Sequence, residues 1–255
     1  MATTERALTP PPSGGPILAV TAAEMAEVDR RTVDDLGVAL PQMMELAGRA
    51  LGRLAQVRFL ADACDAPPHV VVLAGPGGNG GGALVAARRL TGWGVRVTVV
   101  TSSSEADLSS VTAHQAWALR AQGIALNGVD GLAVLHDRID LVIDGLLGYR
   151  GRGEPRGAVR DAIAWVLAGT APVLALDVPS GLDASSGVAA AMCVHATATL
   201  TLAAPKTGLL VRQAASIVGE LYLADIGVPP VAYAALASPS DPRSWFAGDD
   251  VVRLC

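Results

Sequence analysis

With 255 residues, of which 51% are hydrophobic and only 17% charged, the chain can bury a large core and is compatible with a single α/β domain. Its formal net charge of −5 argues against nonspecific binding to nucleic acid. No apolar run reaches the ~18–20 residues of a membrane span, and the start of the chain lacks the basic and apolar regions of a signal peptide.

The three cysteines are too few, and odd in number, for a disulfide framework, and their spacing offers no metal site. They favour a reducing compartment, so the sequence predicts a cytoplasmic protein. Residues 1–15 are rich in proline and glycine and are predicted to be a disordered tail, with one domain over 16–255.

Apolar runs of strand length alternate with longer amphipathic segments along most of the chain. In order, we predict helices over 21–36 and 41–63, a strand over 70–74, a helix after a glycine cluster, a strand over 95–101, a helix over 109–122, a short strand over 125–129, a short helix over 132–135, a strand over 139–144, a helix over 157–168, and last strands over 173–177, 196–203 and 220–224.

Thr21 and Glu24 have the spacing of a capping box at the start of the first helix. The first two helices precede the first strand, so they should pack on the sheet edge or form an oligomer contact. From about Pro229 onward the chain is weakly patterned. The alternation of strands and helices predicts an α/β fold, a three-layer αβα sandwich with a mostly parallel central sheet.

The glycine cluster follows the first predicted strand and reads Gly75-Pro76-Gly77-Gly78-Asn79-Gly80-Gly81-Gly82. The first N–H groups of a helix are unpaired, so this loop can cradle an anion or another ligand. It also fits G-x-G-x-x-G, but the next strand ends in serines rather than in the acidic residue of a nicotinamide dehydrogenase. No Gly-Lys-Ser/Thr follows, which excludes a P-loop. A purely structural role in a tight strand–helix turn is the alternative.

Asp144 and Asp177 each end a predicted strand, at the edge of the sheet where the glycine loop also lies. Asp177 precedes a rigid Val-Pro-Ser-Gly turn, where a carboxylate could act as a general acid or base, or merely cap the turn. Asn79, Asp144 and Ser180 could each supply an oxygen to a hard cation. With one charged ligand, a monovalent ion such as potassium fits better than magnesium.

The remaining polar candidates leave both alternatives open. The four histidines are scattered and are expected to be surface or packed residues. Lys206 stands at a predicted strand end, where its charge could simply be solvated. Three arginines lie on one glycine-rich loop, where they could bind phosphates or be exposed: Arg150, Arg152 and Arg156.

Six segments between about residues 18 and 230 carry a more specific signal. They are Val20-Thr21-Ala22-Ala23-Glu24-Met25 with Asp29-Arg30-Arg31, the glycine cluster, Asp144-Gly145-Leu146-Leu147-Gly148, Asp177-Val178-Pro179-Ser180-Gly181-Leu182-Asp183, Pro205-Lys206-Thr207-Gly208-Leu209, and Ala224-Asp225-Ile226-Gly227-Val228-Pro229. Taken in order, they resemble the motifs of the NAD(P)H-hydrate epimerase family, also called the YjeF N-terminal domain family.

The resemblance implies a Rossmann-like fold, a homodimer, and an isomerase that interconverts the R and S forms of NADHX and NADPHX. It implies Asp177 as the acid/base residue, a potassium ion on Asn79, Asp144 and Ser180, a small-molecule partner and no redox cofactor. The substrate-binding residues that it implies are Gly78, Asn79, Gly80, Gly81, Gly82, Gly148, Tyr149, Arg150, Gly151, Arg152, Gly153, Glu154, Asp177 and Lys206.

Three positions depart from the family pattern, which has asparagine at the positions of Leu46 and Gly78 and aspartate at that of Gly82. Three polar side chains expected near the site are therefore missing. Two hypotheses follow: an epimerase, with its acid/base group retained and its substrate unchanged or replaced by another small molecule, or a non-catalytic ligand-binding or scaffold module that keeps the fold.

Overall fold

The structure is a computed structural model that describes residues 18–61, 67–135, 137–236, 245–246 and 248–254. The predicted tail over 1–15 and the predicted helix end at 62–63 lie outside the described residues.

The described strands form one eight-stranded sheet in the order β3-β2-β1-β4-β5-β6-β7-β8. The strands are β1 (His69–Ala74), β2 (Arg96–Thr101), β3 (Leu126–Asn127), β4 (Leu141–Gly145), β5 (Val173–Leu176), β6 (Ala198–Leu202), β7 (Glu220–Ala224) and β8 (Val251–Arg253). All neighbours pair in parallel except β7 and β8.

The antiparallel strand β8 was not predicted, so the expectation that the strand over 220–224 is the last is wrong. β8 has three residues, which is too short for a readable hydrophobic alternation. Its place is fixed by pairing with β7, where Leu223 lies opposite Val252.

The described helices are α1 (Ala22–Arg30), α2 (Leu40–Phe59), α3 (Gly78–Gly92), α4 (Ser110–Arg120), α5 (Gly157–Ala168) and α6 (Ala215–Val218). The predicted capping box is confirmed, because Thr21 caps the N–H of Glu24 and the Glu24 carboxylate accepts from the N–H of Thr21. α2 ends at Phe59, earlier than predicted. None of the helices in the described part of the chain is long and apolar enough to cross a membrane.

Clusters of buried hydrophobic residues cover both faces of the sheet. Val70 and Val72 of β1 pack in the core that contains α2 and α3, whereas Val71 and Leu73 pack in the core that contains α5. Because successive side chains of a strand point to opposite faces, helices cover both faces. The predicted Rossmann-like three-layer sandwich is confirmed.

The order of the strands reverses at β1. The chain passes from β1 outward through β2 and β3, then returns to place β4 on the other side of β1. Ligands of such sheets bind in the crevice beyond the carboxyl ends of the strands at this switch point. A ligand site is therefore expected among the segments that follow β1, β4 and β5.

Candidate functional site

The glycine loop, which connects β1 to α3, packs closely against backbone carbonyl groups. A β-carbon on Gly75 would overlap the carbonyl of Leu146, and one on Gly80 would overlap the carbonyl of Gly75. Gly77 is the N-cap of α3 and has no side chain to satisfy the first N–H groups. These groups are free to bind a ligand. Gly78, by contrast, faces open space with no atom within 4 Å of a built β-carbon.

Asp177 follows β5 in a strained backbone conformation. Its φ is 68°, and the N–H of Val178 donates to the carbonyl of Leu176 at 2.9 Å. This is a γ-turn of the rare positive-φ form, which is costly for a residue with a side chain. The turn holds the carboxylate at the strand end, with only 3% of the residue exposed.

A second γ-turn lies at the end of the neighbouring strand β6. Ala203 has a φ of 64°, and the N–H of Ala204 donates to the carbonyl of Leu202 at 2.7 Å. Lys206 follows this turn and is buried, with 1% of the residue exposed. The alternative of a solvated lysine is therefore wrong.

The two turns bring a buried ion pair together. The Lys206 Nζ donates to Oδ1 of Asp177 at 2.5 Å and to the carbonyl of Leu202 at 2.8 Å. The other carboxylate oxygen, Oδ2, accepts from the backbone N–H of Tyr149 at 2.8 Å. Both oxygens of Asp177 are thus held by donors while the carboxylate lines a cavity.

Asp144, Ser180 and Asn79 form a polar cluster beside this pair. Ser180 donates its N–H to Oδ2 of Asp144 at 2.8 Å and its hydroxyl to Oδ1 at 2.7 Å. The N–H of Leu147 donates to the Ser180 hydroxyl, and the carbonyl of Leu147 accepts from the Asn79 amide. The three predicted cation ligands therefore belong to one hydrogen-bonded cluster.

The donor set of this cluster fits a hard monovalent cation. Asp144 is completely buried, and the hydrogen bonds that it accepts from Ser180 and Leu146 come from uncharged donors. Burial raises the pKa of its carboxyl, while the hydrogen bonds from Ser180 and Leu146 oppose that rise. A cation there would offset the buried charge. No cluster of three or more His, Cys, Asp or Glu side chains suited to a metal occurs among the described residues.

A cavity of about 450 Å³ opens above the Asp177–Lys206 pair. Its walls come from α1, from α2, from the glycine loop and from the segment that follows β4. Met25 and Asp29 are one helical turn apart on α1, so both point into it. Met43 and Met44 of α2 add a flexible apolar wall.

Tyr149 joins Asp29 to the buried pair. Its hydroxyl donates to Oδ2 of Asp29 at 2.6 Å and accepts from Nε of Arg150 at 2.9 Å. The Lys206 Nζ lies 5.6 Å from the centre of the Tyr149 ring. Burial raises the pKa of the Asp29 carboxyl, and the hydrogen bond from Tyr149 opposes that rise.

Comparison with known proteins gives relatives that include NAD(P)H-hydrate epimerases and bifunctional NAD(P)H-hydrate repair enzymes. The chain is 41% identical over 241 residues to an NAD(P)H-hydrate epimerase of Dehalogenimonas lykanthroporepellens, which covers 94% of each protein. It is 30% identical over 224 residues to the bifunctional NAD(P)H-hydrate repair enzyme Nnr of Escherichia coli, covering 87% of this chain and 39% of that protein. The YjeF-related protein N-terminus family matches residues 40–208.

The chain belongs to the YjeF-related protein N-terminus family. The crystal structure of yeast ynu0 has the same fold, with a TM-score of 0.80 at 22% identity over 93% of this chain and 100% of that one. The chain spans about two fifths of the length of the bifunctional relatives it matches, but nearly all of the Dehalogenimonas protein.

Most of the substrate-binding residues predicted for this YjeF-related domain line the cavity. They are Gly78, Asn79, Gly82, Gly148, Tyr149, Arg150, Gly151, Asp177 and Lys206. Gly80 and Gly81 are buried in the first turn of α3, where Gly81 packs against Met44, so they are absent from the lining. They shape the loop that carries the free N–H groups.

The predicted loop divides between two cavities. Arg152, Gly153 and Glu154 line a neighbouring cavity of about 310 Å³, which shares Gly148 and Gly151 with the first. The carboxylate of Glu154 accepts from the N–H of Ala191, which closes one wall of it.

Leu46 stands at one of the three positions where a polar side chain was expected near the site, but it is not part of the cavity wall. Leu46 is 40% exposed on α2 and does not line the cavity, whereas Gly78 and Gly82 do. Sequence reasoning missed Asp29, Met25 and the two methionines of α2, because it assigned both helices to the sheet edge or an oligomer contact. The i,i+4 spacing of Met25 and Asp29 marked a shared helix face.

Proposed function

We propose that this protein is an NAD(P)H-hydrate epimerase that interconverts the R and S forms of NADHX and NADPHX. The observation that carries the proposal is the buried Asp177–Lys206 pair on the cavity wall. It stands in a chain that is 41% identical, over nearly its full length, to a protein named for this activity.

The proposed chemistry needs one proton that moves in both directions. As the bond between the ring carbon and its hydroxyl breaks, the Asp177–Lys206 pair gives a proton to the hydroxyl, and water leaves. The ring nitrogen supplies the electron pair, which gives a conjugated iminium. Water then adds to the opposite face and returns a proton to the pair. The oxidation state is unchanged, so no redox cofactor is consumed.

The surrounding residues assist this step in distinct ways. Lys206 holds the Asp177 carboxylate and keeps the charge of the pair balanced within a water-poor wall. The free N–H groups at the start of α3 would bind a phosphate oxygen of the dinucleotide. The segment from Gly148 to Glu154 would bind the remainder of the substrate.

We further propose that Asn79, Asp144 and Ser180 hold a potassium ion. When bound, the ion would supply positive charge beside the buried Asp144 carboxylate and so fix the segment after β4. We also propose that the protein is a homodimer, which sedimentation at several concentrations would measure.

The test is an NMR assay that starts from one pure epimer of NADHX and follows the appearance of the other. We expect Asp177→Asn to lower the rate by about 10²- to 10⁴-fold, the usual contribution of a general acid–base group. Asp161→Asn, an exposed carboxylate on α5, is the matched control and should keep the wild-type rate.

Two results would contradict the proposal. A wild-type rate equal to that of buffer would favour the ligand-binding alternative. In that case the open space at Gly78 would leave room in the cavity for another small molecule. Equal rates for wild type and Asp177→Asn would remove Asp177 from the reaction.

A further inference from the structure

Asp29 is the second carboxylate in the cavity wall, and the reaction described above does not use it. It projects from α1 and is partly buried, with 24% of its side chain exposed. Its short contact is with the Tyr149 hydroxyl at 2.6 Å, while the Arg150 guanidinium lies 3.9 Å away and is 72% exposed. The phenol bond is therefore the stronger tie, because exposed ion pairs at such distances contribute little.

The Tyr149 side chain and backbone act on two different carboxylates. The hydroxyl donates to Asp29, and the N–H of the same residue donates to Oδ2 of Asp177. The ring in between lies over the Lys206 ammonium. One residue thus spans the distance between α1 and the buried pair.

The start of α1 is fixed to the same pair from the other side. Val20 donates its N–H to the carbonyl of Pro205 and accepts from the N–H of Thr207, each at 2.9 Å. These two bonds flank Lys206. The segment before α1 is therefore bonded to the two neighbours of Lys206, and Asp29 on α1 is linked to Asp177 through Tyr149.

We propose, on the basis of the epimerase function above, that Asp29 is a positioning residue for Asp177. By accepting from the Tyr149 hydroxyl it fixes the segment after β4, so that the Tyr149 N–H stays on Oδ2 and the carboxylate keeps its aim into the cavity. Asp29 moves no proton in this role. The acid/base pair alone exchanges protons with the substrate.

The experiment is a double-mutant cycle with Asp29→Ala, Tyr149→Phe and the double variant. We expect each single variant to lower kcat about tenfold with KM changed less than about twofold, and the double variant to be no worse than either, since both changes remove one shared bond. Asp29→Asn keeps an acceptor oxygen and should restore most of the loss. Asp34→Ala, an exposed carboxylate after α1, is the control.

A second readout separates this proposal from the epimerase function. Hydrogen exchange of the backbone N–H at position 149, followed by NMR, should become about tenfold faster in Asp29→Ala and Tyr149→Phe but not in Asp34→Ala. If wild type does not epimerise NADHX, the proposed function fails and amide exchange alone decides the positioning role.

Three results would overturn the positioning role. They are multiplicative losses in the double variant, an unchanged kcat in a folded Asp29→Ala, or unchanged protection of the Tyr149 amide.

Discussion

At the scale of single residues, the site depends on a buried charge pair, of which Asp177 lies in one strained turn and Lys206 follows another. Lys206 and Asp177 lie after adjacent parallel strands, and the backbone of Asp177 is tied to β6 through the carbonyl of Leu200. Breaking a buried pair by removing one partner usually costs more than removing both, because the remaining charge is left without compensation.

We therefore expect Lys206→Met to destabilise the protein by about 3–5 kcal/mol, as found when one member of a buried pair is removed. The double variant Asp177→Asn with Lys206→Met should recover a large part of that loss. Urea denaturation of the wild type, both single variants and the double variant measures the coupling. Additive losses would show that the two side chains do not stabilise each other.

The oxygen cluster around Asp144 gives a second prediction at this scale. If it holds potassium, KCl should raise the melting temperature above that in NaCl at equal ionic strength, because an ion bound only by the folded state stabilises it. Asp144→Asn should abolish the difference between the two salts. Calorimetry in both salts makes the comparison without any substrate, and equal melting temperatures for wild type would refute the potassium site.

At the scale of elements, a clip of three residues, Arg58, Glu220 and Tyr222, joins the end of α2 to β7. Arg58 near the end of α2 donates two hydrogen bonds to the carboxylate of Glu220 at the start of β7, each at 2.9 Å. The Tyr222 hydroxyl donates to the same carboxylate at 2.6 Å. The hydrogen bonds from Arg58 lower the pKa of Glu220 to about 2.

This clip has a pH dependence of definite sign. Because the pKa of Glu220 is lower in the folded state than in the unfolded chain, where it is about 4.3, the stabilisation is complete above that value and is lost as the pH falls toward 2. The carboxylate is partly exposed, so we expect only about 1 kcal/mol. The gap in unfolding free energy between wild type and Glu220→Gln should be equal at pH 7 and 6 and smaller at pH 3. A gap that grows on acidification would contradict it.

Elements with strong local signals were predictable from the sequence. The helix over 157–168 and the strand over 220–224 have the observed bounds, because an apolar run or an amphipathic period marks each end. The pairing of β8 was not predictable, since it depends on a contact with a distant part of the chain, and no local signal in the sequence marked the end of α2 at Phe59.

The residues of the site likewise include some that were predictable from the sequence and some that were not. Asp144 and Asp177 could be placed from the sequence, because parallel strands bring their carboxyl ends to one edge. The bond between Tyr149 and Asp29 joins residues 120 positions apart and depends on the orientation of α1, which no local pattern encodes. The burial of Lys206 likewise depends on a distant partner, because its ammonium group donates to the carboxylate of Asp177 on the neighbouring strand end.

At the scale of the whole molecule, the C-terminal part of the described chain contacts the turn that precedes Lys206. The Tyr233 hydroxyl donates to the carbonyl of Ala203 at 3.0 Å, and its ring packs edge-on against the buried Trp245 with 5.9 Å between the ring centres. The weakly patterned region after residue 229 therefore helps to hold the turn that precedes Lys206.

The two edges of the sheet limit how copies of the protein can associate. In the described residues, the outermost strands β3 and β8 have only two and three residues. Short edges offer little unpaired backbone for another strand to join, which protects a sheet from edge-to-edge aggregation. A homodimer of this protein would consequently form through side chains on its helices and loops, and its sheet would end within each subunit.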